Sequence, residues 1–316
     1  MRIVVIGGSG HIGTYLSPML VEAGHSVVCV CRGIKQPYQP HPAWADIAQV
    51  ILDRSAEEIS GEFGRKVAEL GADAVIDLTC YTQPSAEQLV NSLRGGVRHF
   101  LHCGTIWVHG HSVEVPTLED APRVPFGDYG CRKASIEKYL LGEFRDTAFP
   151  VTILHPGHLV GLGWHPINPA GNFNPAVFSD IASGREVLLP NLGMETLHHV
   201  HASDVAAAFV RALATGEASL GESFHVVSPA ALTLRGYAER MIAWFNSASQ
   251  IRYLPWQEWQ ATVSDKDARI TWDHIAHSPN CSIEKARRIL GYAPRYSSLA
   301  AVQESVSWLV DAGLIA

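Results

Sequence analysis

Residues 3–13 read IVVIGGSGHIG, and this stretch decides the fold because a short apolar run leads directly into closely spaced glycines. Gly8, Gly10 and Gly13 satisfy the spacing G-x-G-x-x-G, and an amphipathic stretch follows at 15–22. This order predicts a strand, a tight turn and a helix. Such a turn lets a pyrophosphate approach backbone N–H groups, and the helix N-terminus favours its negative charge. We therefore expect a dinucleotide-binding turn, the alternative being a glycine-rich turn without a ligand. The expected contacts are Gly7, Ser9, Gly10, His11, Ile12 and Gly13.

The first half of the chain alternates short apolar runs with helical patterns. The apolar runs are 3–6, 27–30, 50–52, 74–78, 100–103 and 151–154, and the helical patterns are 15–22, 57–70, 86–93 and 134–145. Continuous apolar strands separated by helices predict a parallel sheet covered on both faces. We predict an α/β fold with a doubly wound, Rossmann-like parallel sheet and a smaller C-terminal α/β substrate lobe. Residues 1–154 would form the dinucleotide-binding domain. Residues 155–316 would form mainly the substrate lobe, with about 195–228 returning to the main sheet.

The composition is that of an ordinary globular protein. The chain has 316 residues, of which 47% are hydrophobic and 17% charged, and its net charge is -7. Without a basic run we expect no nucleic-acid partner. Without an apolar stretch of about 18 residues we expect no membrane partner. The apolar run at the N-terminus is too short for a signal segment, so we expect a soluble, cytoplasmic protein. The six cysteines lack metal-ligand spacing and are expected to be reduced.

The residues after the second and third strands address the choice of cofactor. Where NAD-binding proteins carry an acidic residue that accepts from the ribose, this chain reads Cys31-Arg32-Gly33, with Lys35 close by. Arg32 is suited to pair with a 2′-phosphate, so we expect NAD or NADP, with NADP favoured. A solvated surface arginine is the alternative for Arg32. Asp53 ends the third strand and either accepts from the adenine amino group or serves as a turn residue.

Tyr129 and Lys133 open a helical segment with i, i+4 spacing, which places them on one helix face. A phenol has an ordinary pKa near 10, and lowering it by about three units needs roughly 4 kcal/mol of differential stabilisation. A nearby ammonium and the positive nicotinamide ring can supply it. The pair therefore predicts an acid/base centre, although this spacing alone is common by chance.

The surrounding segments strengthen that interpretation. Residues 105–110 read TIWVHG after the fifth strand, residues 73–80 read DAVIDLTC, residues 155–161 read HPGHLVG, residues 201–206 read HASDVA, and residues 285–294 read KARRILGYAP. In this order and spacing the chain resembles the extended short-chain dehydrogenases/reductases, also called NAD-dependent epimerase/dehydratases. The resemblance covers nearly the whole sequence.

The resemblance implies roles for individual residues. Tyr129 would be the general acid/base, Lys133 would lower its pKa and hold the nicotinamide ribose, and Thr105 would hydrogen-bond the same substrate oxygen. Further contacts with the cofactor are expected from Leu78, Thr79, His155 and His158. Contacts with the substrate are expected from Cys80, Thr105, Trp107 and Asn172. Hydride transfer between the substrate and the nicotinamide ring would then make the protein an oxidoreductase or epimerase.

Several departures from the family pattern limit the classes of substrate and reaction that we expect. No Arg precedes residues 199–205, and His155 replaces the usual Arg before Pro156, so a polyol or sugar-like molecule is favoured over a nucleotide sugar. Ile106 and Trp107 occupy positions where dehydratases carry extra acid/base groups, which argues against dehydration. A metal at His198, His199 and His201 is not expected, because a convincing third ligand is missing.

Two broader expectations remain. The alternative to an enzyme is a catalytically lapsed relative that binds a dinucleotide for regulation or binds RNA. The resemblance also implies a homodimer formed through the helices at about 86–93 and 134–145.

Overall fold

The computed structural model describes residues 1–315. Its strands are β1 Arg2–Ile6, β2 Ser26–Cys31, β3 Ala48–Ile51, β4 Ala74–Asp77, β5 His99–Cys103, β6 Val151–Pro156, β7 His158–Val160, β8 Val187–Pro190, β9 Thr196–Leu197, β10 His199–His201, β11 Glu222–Val226, β12 Leu232–Thr233 and β13 Ile251–Leu254. Its α-helices are α1 His11–Glu22, α2 Arg54–Ile59, α3 Phe63–Ala68, α4 Gln83–Leu93, α5 Gly127–Thr147, α6 Ala176–Ala182, α7 Ala202–Thr215, α8 Leu234–Trp244, α9 Trp256–Trp259, α10 Asp265–His277, α11 Glu284–Leu290 and α12 Ser298–Asp311.

A seven-stranded sheet in the order β3-β2-β1-β4-β5-β6-β11 forms the centre of the molecule. All of its strand pairs are parallel. The strand order reverses between β1 and β4, and ligands bind at such a switch point, outside the carboxyl ends of the strands. The predicted doubly wound α/β fold is confirmed.

Helices cover both faces of this sheet. Ile3 and Val5 face one apolar cluster, which α1 and α7 help to form, whereas Val4 and Ile6 face a second cluster beneath α3, α4 and α5. This alternation is what a strand buried on both sides requires. A third cluster, built from α6, α8, α12, β8 and β13, forms the core of the C-terminal part.

Two local predictions differ from the structure. The pattern at 57–70 is not one helix but two, α2 and α3, separated at Gly61, whose φ of +74° suits glycine. Residues 155–174 are rich in Gly, Pro, Asn and His, a composition that predicts a loop, but they contain the end of β6 and all of β7. Among the described helices, none is long and apolar enough to cross a membrane.

Candidate active site

The glycine turn between β1 and α1 is built by close backbone contacts. A Cβ atom on Gly13 would lie 2.3 Å from the carbonyl oxygen of Gly8, and one on Gly8 would lie 2.7 Å from Sγ of Cys29. Gly7 has a φ of +84°, and a Cβ there would lie 2.5 Å from Cγ2 of Thr79. Side chains are therefore excluded, and the first N–H groups of α1 remain free for an anion.

A cavity of about 720 Å³ adjoins this turn and extends to the ends of β2 and β3. Its lining includes Gly7, Ser9, Gly10, Arg32, Asp53 and Thr79. Its size and position at the switch point fit a dinucleotide. The glycine cradle and the cavity lining therefore fit the cofactor expected from the sequence.

The two residues predicted to read the adenosine end lie in this cavity. Arg32 is exposed and has no hydrogen-bond or ion-pair partner within residues 1–315, so its guanidinium is available to a ligand. Asp53 caps α2, where one carboxylate oxygen accepts from the backbone N–H groups of Ser55 at 3.0 Å and Ala56 at 3.4 Å. Its second carboxylate oxygen is not used by the cap.

Arg54 is a cavity residue that sequence reasoning missed. Its Nη1 donates to both carboxylate oxygens of Asp77 at 2.8 and 2.9 Å, and its Nε donates to Glu58 at 2.6 Å. Asp77 is fully buried at the end of β4, and the pair holds Arg54 in place in the cavity lining. In the sequence, Arg54 could have been recognised as a cavity residue by its position directly after Asp53.

The segment after β4 connects the cavity with the reaction centre. Thr79 lines the cavity, Leu78 packs against the apolar core and Cys80 is completely buried. The carbonyl oxygen of Cys80 accepts a hydrogen bond from Nζ of Lys133 at 2.7 Å. Tyr81, which sequence reasoning also missed, places its ring centre 5.0 Å from the same Nζ.

Thr105 follows the carboxyl end of β5, and Tyr129 and Lys133 lie one turn apart on α5. The hydroxyl of Thr105 lies close enough to the phenol of Tyr129 to lower its pKa. Nζ of Lys133 donates to the carbonyl oxygen of Cys103 at 2.8 Å. Only Gly104 separates Cys103 from Thr105 in the sequence. Trp107 packs edge-on against Tyr129 with ring centres 5.9 Å apart.

The electrostatics of this centre are those of a partly desolvated site. Tyr129 is 43% exposed as a residue; burial raises the pKa of its phenol, and the nearby Thr105 hydroxyl opposes that rise. Burial lowers the pKa of Lys133, a trend that the nearby thiols and Asp77 oppose. A phenol in this chain alone is therefore neutral, and it needs added positive charge to ionise near pH 7.

His155 lies behind Thr105. Its Nδ1 accepts from the backbone N–H of Thr105 at 2.9 Å, and its Nε2 lies 3.0 Å from Oε1 of Glu137. Glu137 in turn accepts two hydrogen bonds from Arg123, at 3.0 and 2.7 Å. Burial opposes ionisation of Glu137, but the hydrogen bonds from His155 and Arg123 and the charge of Arg123 hold its pKa below the ordinary range. Both ring nitrogens of His155 are therefore engaged within the protein.

Three other predicted contact residues also lie in enclosed surroundings. His11 is buried and stacks on Trp164 with ring centres 4.7 Å apart, outside the cavity lining. Asn172 is buried, with Oδ1 accepting from Asn168 and Asn174 and Nδ2 donating to Thr271. His158 lies among rings near Trp107, with centres 6.1 Å apart, and its buried Nε2 has no hydrogen-bond partner among residues 1–315.

The histidine-rich segment around β10 serves packing. Nε2 of His198 lies 2.8 Å from the carbonyl of Ser228, and Nδ1 accepts from the N–H of Cys281 at 3.1 Å. His201 caps α7 through Ser203 and stacks on Tyr296. Within residues 1–315 no group of three or more His, Cys, Asp or Glu side chains is arranged to hold a metal ion.

Sequence reasoning missed two residues of α10, His274 and His277, although they stand near Trp107. Their i, i+3 spacing places both on one helix face, and that spacing was the available signal. The ring of His277 stacks on Trp107 at 4.0 Å, and that of His274 lies edge-on at 5.4 Å. The C-terminal part of the chain thus forms one wall beside the reaction centre.

Comparison with known proteins places the chain in a family. Residues 3–226 match the NAD dependent epimerase/dehydratase family, so the chain belongs to this family and is an enzyme of the extended short-chain dehydrogenase/reductase type. It is 27% identical over 241 residues to 2'-dehydrokanamycin reductase of Streptomyces kanamyceticus, covering 76% of this chain and 66%, just under two thirds, of that protein.

Two further proteins show how widely this similarity extends. The chain is 24% identical over 315 residues to the chloroplast stem-loop binding protein of 41 kDa b of Arabidopsis thaliana, covering 96% of this chain and 78% of that protein. The UDP-glucose 4-epimerase of Thermotoga maritima, solved with UDP-glucose, shares the fold with a TM-score of 0.75, 20% identity and 99% coverage of each chain.

Proposed function

We propose that this protein is an NAD(P)-dependent oxidoreductase or epimerase that acts by hydride transfer on a hydroxylated, sugar-like substrate. The proximity of the Tyr129 phenol to the Thr105 hydroxyl carries the proposal, with the buried Lys133 one helical turn further along α5. It gives the site one hydroxyl to exchange a proton and a second to orient the same substrate oxygen.

The cofactor would occupy the cavity beside the glycine turn. Gly7, Ser9 and Gly10 would meet the pyrophosphate, with Thr79 along the wall, and Arg32 and Asp53 would lie at the adenosine end. When bound, the nicotinamide ring supplies or accepts the hydride. The unpartnered guanidinium of Arg32 supports a preference for NADP, because a 2′-phosphate would pair with it.

The proton would be handled by Tyr129. In reduction of a carbonyl, Tyr129 gives its proton to the oxygen that becomes a hydroxyl, and in oxidation it accepts that proton. Lys133 uses two of its three N–H bonds on the carbonyls of Cys80 and Cys103, which leaves the third for a ligand hydroxyl. Its charge would stabilise the phenolate formed during the reaction.

The remaining expectations belong to the same proposal. Residues 1–154 would form the cofactor domain and 155–316 mainly the substrate lobe, of which β11 and α7 pack with the central sheet. A homodimer would pair the adjoining helices α4 and α5 of two copies. Sedimentation that shows only monomers at micromolar concentration would exclude this assembly.

Turnover of reduced dinucleotide tests the enzymatic proposal. Tyr129→Phe keeps the ring and removes the proton, so we expect about 10²- to 10⁴-fold slower turnover with unchanged dinucleotide binding. Tyr139→Phe changes another tyrosine of α5 away from the centre and should leave turnover intact. Equal turnover in wild type and Tyr129→Phe would refute the proposal.

The stem-loop binding relative makes RNA binding the second candidate. The net charge of -7 and the lack of a basic run disfavour it. Salt-dependent binding of an RNA hairpin by this protein, combined with absence of Tyr129-dependent turnover, would favour that candidate instead.

A further inference from the structure

Four rings form a continuous stack that begins beside the reaction centre. His111 stacks on Phe126 at 4.2 Å, Phe126 on His277 at 4.0 Å, and His277 on Trp107 at 4.0 Å between ring centres. Trp107 itself contacts Tyr129. The stack joins three separate parts of the chain into one wall, and Trp107, the ring at its end, is an aromatic surface of the kind that suits the C–H face of a carbohydrate.

The protonated nitrogens of the two α10 histidines are fixed by backbone carbonyls. Nδ1 of His274 lies 2.8 Å from the carbonyl oxygen of Gly171, and Nδ1 of His277 lies 2.6 Å from that of Asp273. A carbonyl oxygen can only accept, so each Nδ1 must carry a proton. Burial lowers the pKa of both rings to about 4, so near pH 7 each ring is neutral and its Nε2 is an acceptor.

The two acceptors differ in accessibility. Nε2 of His277 is enclosed within the ring stack. Nε2 of His274 has no hydrogen-bond partner within residues 1–315 and is not among the enclosed nitrogens. His274 as a residue is 5% exposed, and its ring centre lies 5.4 Å from that of Trp107. A ligand held against Trp107 would therefore meet a fixed acceptor at His274.

Among residues 1–315, no lysine or arginine is one of the groups that shift the pKa of His274 or His277. Burial is the main cause that lowers the pKa of His274. The charged group that lowers it further is His277, and no lysine or arginine contributes. The same holds for His277, where the further charge is that of His111. An anionic group placed here would face nitrogen lone pairs, and it would lose its hydration without gaining a cation.

We propose that the substrate of this site is a carbohydrate rich in hydroxyl or ammonium donors that carries no phosphate, and that one of its donors binds Nε2 of His274. The inference rests on the proposed function, since it assigns the wall beside Tyr129 to the substrate. A substrate without phosphate would distinguish this chain from proteins that hold a nucleotide sugar by its diphosphate. His274 would then be a residue that determines substrate specificity.

Binding of two probes to the NADP-loaded protein tests the inference. Kanamycin A presents hydroxyl and ammonium donors without phosphate, whereas UDP-glucose presents a diphosphate. By calorimetry we expect kanamycin A to bind wild type more tightly than UDP-glucose. His274→Phe keeps a ring but removes the acceptor, and should weaken kanamycin A by about tenfold. His274→Arg should weaken kanamycin A further and strengthen UDP-glucose.

His25→Phe serves as the matched control, because His25 lies at the start of β2, at the amino end of the sheet, and should leave both affinities unchanged. Tighter binding of UDP-glucose than of kanamycin A to wild type, binding of neither probe at millimolar concentration, or equal affinities in wild type and His274→Phe would each overturn the inference. Tyr129-dependent turnover of a nucleotide sugar would overturn it while leaving the proposed function intact.

Discussion

The backbone N–H of Thr105 donates a hydrogen bond to Nδ1 of His155 across 2.9 Å. An N–H can only donate, so Nδ1 is unprotonated and Nε2 carries the proton that meets Glu137. Gly104 makes this contact possible, because a Cβ there would lie 2.3 Å from the same Nδ1. The loop that carries the Thr105 hydroxyl is thereby tied to β6 and α5.

Substitution of His155 should affect catalysis through Thr105. His155→Phe leaves the Thr105 N–H and one bond of Glu137 without partners, and we expect it to lower the free energy of unfolding by about 2–4 kcal/mol. We expect kcat to fall while the dinucleotide Kd stays unchanged. His155→Asn retains an acceptor for Thr105 and should recover part of kcat. Denaturant titration and steady-state kinetics measure both effects, and equal kcat in the two variants would contradict this role.

Arg32 should determine the preference between the two dinucleotides. Arg32→Ala removes the free guanidinium of the cavity, so the Kd of NADPH should rise by about tenfold or more while that of NADH changes little. High salt should weaken the difference between the two cofactors. Arg98→Ala, which changes an exposed arginine at the amino end of β5, is the control. An equal loss of affinity for NADH and NADPH would show that Arg32 does not read the phosphate.

Two glycines that both lie in helices should respond oppositely to alanine. A Cβ on Gly13 meets the backbone of Gly8 at 2.3 Å, so Gly13→Ala should force α1 away from the turn, cost about 1–3 kcal/mol and weaken dinucleotide binding. Gly142 in α5 has only the end of the Arg145 side chain nearby, at 3.8 Å. Gly142→Ala should therefore stabilise the protein by about 0.5–1 kcal/mol. Thermal unfolding and dinucleotide titration compare the pair, and native affinity in Gly13→Ala would disprove the packing argument.

Buried histidines should make the protein sensitive to mild acid. Burial lowers the pKa of five of them to about 4: His99, His109, His198, His274 and His277. Unfolding restores each pKa to about 6.5, so between pH 6.5 and 4 the unfolded chain binds more protons than the folded one. Stability is therefore full above pH 6.5 and decreases as the pH falls, by about 1.4 kcal/mol per pH unit for each histidine.

His99→Gln isolates one of these contributions. Nε2 of His99 bonds Oγ1 of Thr152 at 2.8 Å, and a glutamine amide can replace that bond without titrating. The unfolding free energy, measured by denaturant at several pH values, should then depend on pH less steeply, by about one proton between pH 6.5 and 4. An unchanged slope would mean that His99 is protonated in the folded chain.

Local sequence was sufficient to predict the architecture. The spacing of Gly8, Gly10 and Gly13 and the alternation of apolar runs with helical patterns specify strands and helices, because each depends on neighbours a few residues away. The i, i+4 spacing of Tyr129 and Lys133 likewise placed both on one helix face. The sequence could not show that the 57–70 pattern breaks at Gly61, since helix periodicity continues across the break.

Tertiary structure alone decided the neighbours of each predicted residue. The family pattern suggested a cofactor contact for His155, but its two ring nitrogens contact Thr105 and Glu137 instead. His274 reaches Trp107 from 167 positions along the chain. Contacts over such separations depend on how packed elements meet, and the periodicity of one segment carries no information about its partner. The amino-acid order thus determined the fold and the Tyr129–Lys133 pair, while packing determined which side chains surround them.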